Sequence, residues 1–190
     1  QILASVHITA PEGEIKSTFD KYIVKQMEIN SKGEVISNEA FSIDVAKESK
    51  EKDYTKRRLP IYVCELSKGE TKYILPIYGA GLWGPIWGYV SINSDGSTIY
   101  GAYFAHQGET PGLGAEIEKP NFSDQFKDKR VFIDGQFKSV AVVKAGQKPL
   151  DGEDYVDGIS GGTITSKGVE AMLSNCLAPY KSFLSNLSKD

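Results

Sequence analysis

Histidine and cysteine are nearly missing from this chain of 190 residues, which has only His7, His106, Cys64 and Cys176. So few nitrogen and sulfur ligands nearly exclude a zinc site built from His and Cys. The two cysteines lie far apart with no Cys-x-x-Cys pair, so they are either two buried thiols or one long-range disulfide, with buried thiols favoured. An excess of positive charge is also missing. The 22 Lys and Arg against 25 Asp and Glu leave a formal charge of −3, the wrong sign for neutralising phosphates, and no nucleic-acid partner is expected. Nor is there an unbroken apolar run. Tyr73 to Ser94 carries no charge, but Pro76, Pro85 and four glycines interrupt it, and it reads as strand, loop, strand instead of a membrane helix.

What is present suffices for a core. With 40% hydrophobic residues and a length typical of one domain, the chain is expected to fold as a single soluble domain over residues 1–190 without help from metals or disulfides. A short helix is expected over residues 12–22, then a hairpin joining Tyr22–Asn30 to Glu34–Ile36 through Ser31-Lys32-Gly33. The run Lys47 to Arg58 has six basic and three acidic residues and reads as a solvated loop or frayed helix, with a docking patch as the lesser alternative. Strands follow at Leu59–Leu66, Thr71–Tyr78, Ile86–Asn93, Thr98–Ala105, Arg130–Ile133 and Ser139–Val143. Near the end, Val169, Met172, Leu173, Cys176, Leu177, Tyr180, Phe183, Leu184 and Leu187 recur at spacings of three and four, which marks one helix face. Because the stripe keeps phase across Pro179, one kinked helix is expected. The fold class is α+β: a mostly antiparallel sheet and a long C-terminal helix.

Three segments could carry chemistry. The first, Asp157-Gly158-Ile159-Ser160-Gly161-Gly162-Thr163-Ile164-Thr165-Ser166, places a glycine turn before that helix, where free N–H groups and the helix dipole suit a phosphate. An ordinary Ser/Thr cap explains the same residues. The pattern Gly158-Ile159-Ser160-Gly161-Gly162 also fits the serine-hydrolase elbow, but both histidines precede Ser160, which is the wrong order for an α/β-hydrolase. A phosphate loop of the Walker type fails, since Lys167 is followed by Gly168. The second segment, His106-Gln107-Gly108-Glu109-Thr110-Pro111-Gly112-Leu113-Gly114, gathers glycines around one carboxylate. The third, Gly79 to Gly88, puts Trp83 and Trp87 in one glycine-rich loop, either as walls for a flat aromatic ligand or as a core pair between turns.

Together, GAGLWG, HQGETPGLGAE and DGISGGTITSKGVEAML resemble the signature segments of the FMN-binding domain family, in its branch formed by the C subunits of sodium-translocating NADH:quinone oxidoreductases. The likeness spans about residues 76–178 in the right order. It implies FMN held covalently through a phosphoester on the threonine that ends Asp157-x-x-Ser160-Gly161-Gly162-Thr163, hence on Thr163, with Gly162 where the family usually has alanine. It further implies that Leu82, Trp83 and Leu113 sandwich or edge the flavin and that Glu109 and Thr110 hydrogen-bond it. Gly112, Ser160, Gly161, Gly162, Ile164 and Thr165 would complete the seat, while Asp157 orients the turn or assists the modification, since its like charge disfavours binding the phosphate. No catalytic residue and no metal are implied. The implied role is electron relay within a sodium-pumping NADH:quinone reductase of the bacterial inner membrane. The partners are its other subunits and a flavin transferase, with this domain on the periplasmic side behind one N-terminal transmembrane helix. A chain that opens at Gln1 without Met is expected of such a processed or truncated product. The related G subunit of Rnf electron-transport complexes, and a non-redox assembly module with a decayed motif, are the alternatives.

Overall fold

The computed structural model describes residues 1–67 and 69–189. Strands β1 (Ile23–Ile29), β2 (Val35–Ser37), β3 (Leu59–Leu66), β4 (Glu70–Ala80), β5 (Pro85–Asn93) and β6 (Ile99–His106) form one sheet in the order β2-β1-β3-β4-β5-β6. Every pairing in it is antiparallel. Short strands β7 (Phe132–Ile133) and β8 (Gln136–Phe137) pair antiparallel beside it, and β9 (Ala141–Val143) pairs in parallel with β10 (Tyr155–Asp157). Helices α1 (Ile15–Tyr22), α2 (Val45–Ser49), α3 (Pro120–Ser123), α4 (Thr163–Leu177) and α5 (Lys181–Leu187) complete the fold, with 3-10 turns between.

Both faces of the sheet are covered, so its central strands are apolar on both sides, as in sheets clad by helices. On one face Leu75, Ile77, Ile86, Val90, Ile92 and Phe104 meet Val169, Met172, Leu173 and Leu177 of α4 and the Phe122–Phe126 pair. On the other, Tyr62, Cys64 and Ile74 pack under Leu3, Val6 and Ile23. Both cysteines are buried free thiols, as favoured from their spacing; burial pushes the Cys64 pKa up to about 11. Among the described residues no helix is long and apolar enough to cross a membrane, and the charge-free stretch becomes the β4–β5 hairpin.

The C-terminal stripe is buried as its periodicity implied, and at Pro179 α4 passes through a 3-10 turn, Ala178–Tyr180, into α5. A proline lacks the N–H that an α-turn would need there, and the tighter turn absorbs it. Two expectations need correction. The segments 130–133 and 139–143 hold strands, but outside the main sheet, whose other members are β1 and β2. The charged run 47–58 is not simply solvated: Arg57 within it is 5% exposed. Its guanidinium donates to the carbonyls of Ser49, Glu51 and Asn175 and to Asn175 Oδ1, and it lies over the Tyr54 ring. Since Asn175 sits in the last turn of α4, this cation meets the negative end of the helix dipole. Loss of four charge-assisted hydrogen bonds from a buried site is costly, so Arg57→Ala is expected to lower stability by about 2–3 kcal/mol in urea denaturation. A change below about 0.5 kcal/mol would show that α4 does not depend on Arg57.

Candidate functional site

The three segments meet at one end of the sheet, around a buried carboxylate. β4 and β5 run out together and reverse over Gly81–Gly84, closed by a bond from the Gly81 N–H to the Gly84 carbonyl of 2.8 Å. At its tip the side chains of Leu82 and Trp83 point outward, 46% and 70% exposed. Their N–H groups point inward and donate to the two carboxylate oxygens of Glu109, at 2.7 and 2.9 Å. Thr165, in the first turn of α4, donates its hydroxyl to Glu109 as well. Glu109 thus ties the β4–β5 loop, the turn after β6 and the start of α4 together. Gly81 and Gly114 allow this convergence: a Cβ on either would strike the Glu109 carboxylate or the Thr165 hydroxyl.

Glu109 is 3% exposed. Burial is the largest single influence on its carboxyl and acts to raise the pKa. The Thr165 hydroxyl, the Trp83 and Leu82 amides and the nearby His106 together outweigh it and hold the pKa below the ordinary value. The Glu109 N–H in turn donates to His106 Nδ1 at 3.0 Å, and His106 Nε2 lies 3.5 Å from a Glu118 oxygen. Both nitrogens of His106 are therefore engaged away from Ser160, and His7 Nε2 faces the Tyr100 carbonyl, so no Ser–His pair exists among the described residues.

The turn into α4 is fixed by backbone bonds. β10 ends at Asp157, the Gly158 N–H donates to the Val143 carbonyl at 2.7 Å, and the Gly162 N–H closes on Ile159 at 3.0 Å. Ser166 reaches back to accept from the Ile159 N–H at 2.9 Å. Gly161 has φ of +73°, a conformation that favours glycine, and a Cβ there would sit 2.8 Å from Leu113. An alanine at 162 would put its Cβ 3.1 Å from Ile159 and 3.2 Å from the Gly114 nitrogen, so this glycine lets Ile159 close in by a few tenths of an ångström. No side chain caps α4. The Ser/Thr cap that competed with a phosphate seat is not formed, and the first amides of the helix keep their donors free.

Two hollows meet at Thr163, itself exposed. One, of about 220 Å³, is walled by Leu82, Trp83, Leu113 and Ile164, with Thr110 and Thr165 also on its lining. The other, of about 470 Å³, runs along Val142, Val143, Lys144, Ser160 and Lys167. The expected site residues are thus brought together, with different tasks. Leu82, Trp83, Thr110, Leu113, Gly161, Gly162, Thr163, Ile164 and Thr165 line the smaller hollow. Ser160 lines the larger one, whereas Glu109 lines neither and holds the loop behind the wall. Gly112 turns the 110–115 loop at φ +77°, and Asp157 faces a separate hollow with Gln125 and Lys129. The tryptophans do not share a loop: Trp87 lies within β5, where its Nε1–H donates to Gln1 Oε1 at 3.0 Å. Lys144 is not singled out by the sequence, and Lys167, weighed there only as a Walker lysine, stands four residues after Thr163 and so on its helix face.

Replacing Glu109 tests the tie. A Gln amide offers one acceptor oxygen and adds a donor against the Leu82 and Trp83 N–H groups, so Glu109→Gln should destabilise the fold by about 1–3 kcal/mol at neutral pH. Because the folded-state pKa is lowered, this contribution is present above the ordinary value of 4.5 and is lost as pH falls through the folded-state pKa. The stability gap between wild type and Glu109→Gln should therefore narrow below about pH 4.5 in urea denaturation. A gap independent of pH would show that the charge is not what holds the loop.

The FMN-binding domain family model matches residues 81–178. The chain is 35% identical over 173 residues to the C subunit of the Na(+)-translocating NADH-quinone reductase of Vibrio anguillarum, covering 83% of this chain and 68% of that protein. It is 42% identical over 119 residues to the corresponding C subunit of Yersinia pestis, covering 60% of this chain and 44% of that one. Among solved structures, the C subunit of the Parabacteroides distasonis reductase is 51% identical with a TM-score of 0.89, over 97% of this chain and 89% of the other. NqrC of Shewanella oneidensis is 27% identical with a TM-score of 0.76, over 100% and 95%. By sequence and by fold, then, the chain belongs to the FMN-binding domain family, in the branch formed by the C subunits of Na(+)-translocating NADH-quinone reductases.

Proposed function

We propose that this chain carries FMN esterified through its phosphate to Thr163 Oγ1 and relays electrons as one component of a sodium-translocating NADH:quinone reductase. The observation that carries the reading is Thr163 itself: an exposed threonine at the first position of an uncapped helix, on the border of an apolar hollow. The glycine cradle around it suits the group. Gly161 and Gly162 bring backbone to the ridge where side chains would intrude, and the free amides of α4 favour an anion there by about 0.3–1 kcal/mol.

When bound, the flavin supplies the electron-accepting and electron-donating chemistry, and the protein supplies position and environment. Leu82, Trp83, Leu113 and Ile164 wall its ring, and Thr110 offers a hydroxyl at the edge. Ser160, Gly112, Gly161 and Gly162 shape the approach. Glu109 and Thr165 act from behind by fixing the loop that bears Leu82 and Trp83, and Asp157 sets the turn. The tether on Thr163 stops the cofactor from dissociating. Residues 1–190 act as one FMN-binding domain, because strands β1 to β4, before the family match begins, complete the sheet that bears the site.

The partners in this reading are the other subunits of the complex, and a flavin transferase that makes the ester. Placement at a bacterial inner membrane, with the domain on the periplasmic side, rests on the family resemblance alone. No feature of the site favours the Rnf alternative, and the relatives named above carry the NADH-quinone reductase name.

The test is attachment. Protein made together with a flavin transferase should yield a peptide carrying FMN less one water on Thr163, and Thr163→Ala should retain no flavin once denatured. Flavin found on Thr165 or Ser166, or retained covalently in Thr163→Ala, would sink the assignment; both alternative residues are buried.

A further inference from the structure

The larger hollow has no task in the reading above, and its lining differs in kind from that of its neighbour. Lys167, on the Thr163 face of α4, donates to the Val142 carbonyl at 2.9 Å and lies 3.4 Å from Glu170. Its side chain is still 53% exposed. Lys144, in the turn after β9, lines the same space, and its ammonium makes no hydrogen bond or ion pair among the described residues. The smaller hollow is walled by Leu82, Trp83, Leu113 and Ile164 and contains no charged side chain.

We propose that the hollow on the Lys144–Lys167 side of Thr163 takes the phosphate end of the cofactor, with the two lysines as its counter-cations. This rests on the flavin reading above and divides the ligand at Thr163, which borders both spaces. The ring lies against the apolar walls, and the charge lies against the lysines. A phosphodiester keeps one negative charge at all ordinary pH, and an apolar wall would leave that charge unpaired. Lysine suits this task as a compact charge on a flexible stem. Lys167 has only to exchange the Val142 carbonyl for a phosphate oxygen, and Glu170 keeps the Val142 N–H at 2.9 Å in either state.

Free FMN and riboflavin, which differ by the phosphate, separate the two halves of the ligand. Binding of each to the unmodified protein would be followed by flavin fluorescence at low salt. Wild type should prefer FMN by about three- to tenfold, as expected for two partly exposed ion pairs, and the preference should shrink as salt rises. The double variant Lys144→Met with Lys167→Met should bind both flavins alike at the riboflavin level, and Lys144→Arg with Lys167→Arg should restore the preference. A merely structural role of Lys167 at Val142 would lower melting temperature without changing that ratio. A wild-type preference that survives in the Met variant, or no preference in wild type, overturns the proposal. Mass spectrometry of transferase-treated wild type reads the covalent assignment separately: an unmodified Thr163 alongside an intact FMN preference would fault the ester and leave the lysine pocket standing.

Discussion

The site depends on one buried carboxylate. Glu109 accepts from two consecutive amides of the β4–β5 loop and from the Thr165 hydroxyl of α4, so it joins at one point elements that the apolar core has already brought side by side. Burying the charge is unfavourable, yet each charge-assisted bond returns about 1.5–3 kcal/mol, and the lowered pKa records which side wins. Since the acceptor faces the loop backbone, the side chains of Leu82 and Trp83 must face the other way, toward Thr163 and solvent. The carboxylate decides the orientation of the hollow's walls without lining it.

Helix α4 is held in a complementary way at its two ends. Arg57 occupies the carbonyl end with a buried guanidinium that has no carboxylate partner among the described residues; the amide end, at Thr163, has no side-chain cap. The fold thus supplies a cation at one end of the helix and leaves free amide donors at the other. The same helix staples β9, whose Val142 N–H and carbonyl are taken by Glu170 and Lys167. α4 therefore positions both hollows at once.

The sequence is most legible where one element speaks for itself. The three-and-four spacing of the C-terminal stripe needs no partner to be read, and the prolines and glycines of 73–94 rule out a helix locally. The glycine turn before Thr163 is legible for the same reason. What depends on contacts distant in sequence is not. Arg57 looks like any residue of a charged run until Asn175, far along the chain, supplies its acceptors. Glu109 stands out as a site residue, but its bonds to the Leu82 and Trp83 amides and to Thr165 arise from contacts distant in sequence and are not legible there. The two tryptophans read as a pair because they are near in sequence; strand β5 begins at Pro85 and carries Trp87 away.

An electron carrier faces opposing demands: a redox group must be shielded enough to be held and exposed enough to be reached. The distribution of apolar surface speaks to both. Most large apolar side chains of the described chain are buried on the two sheet faces, yet Leu82, Trp83, Leu113 and Ile164 stay between 43% and 70% exposed, all of them on one hollow. Exposed apolar groups that cluster at one place mark a site of contact, whereas scattered ones need no explanation. A ring bound there would cover the inner sides of these walls and leave their outer rims in water. The loop that bears two of them is anchored through backbone amides and not through side chains. A partner could therefore press on Trp83, and reach the edge of a ring bound there, without pulling on the contacts that hold the loop.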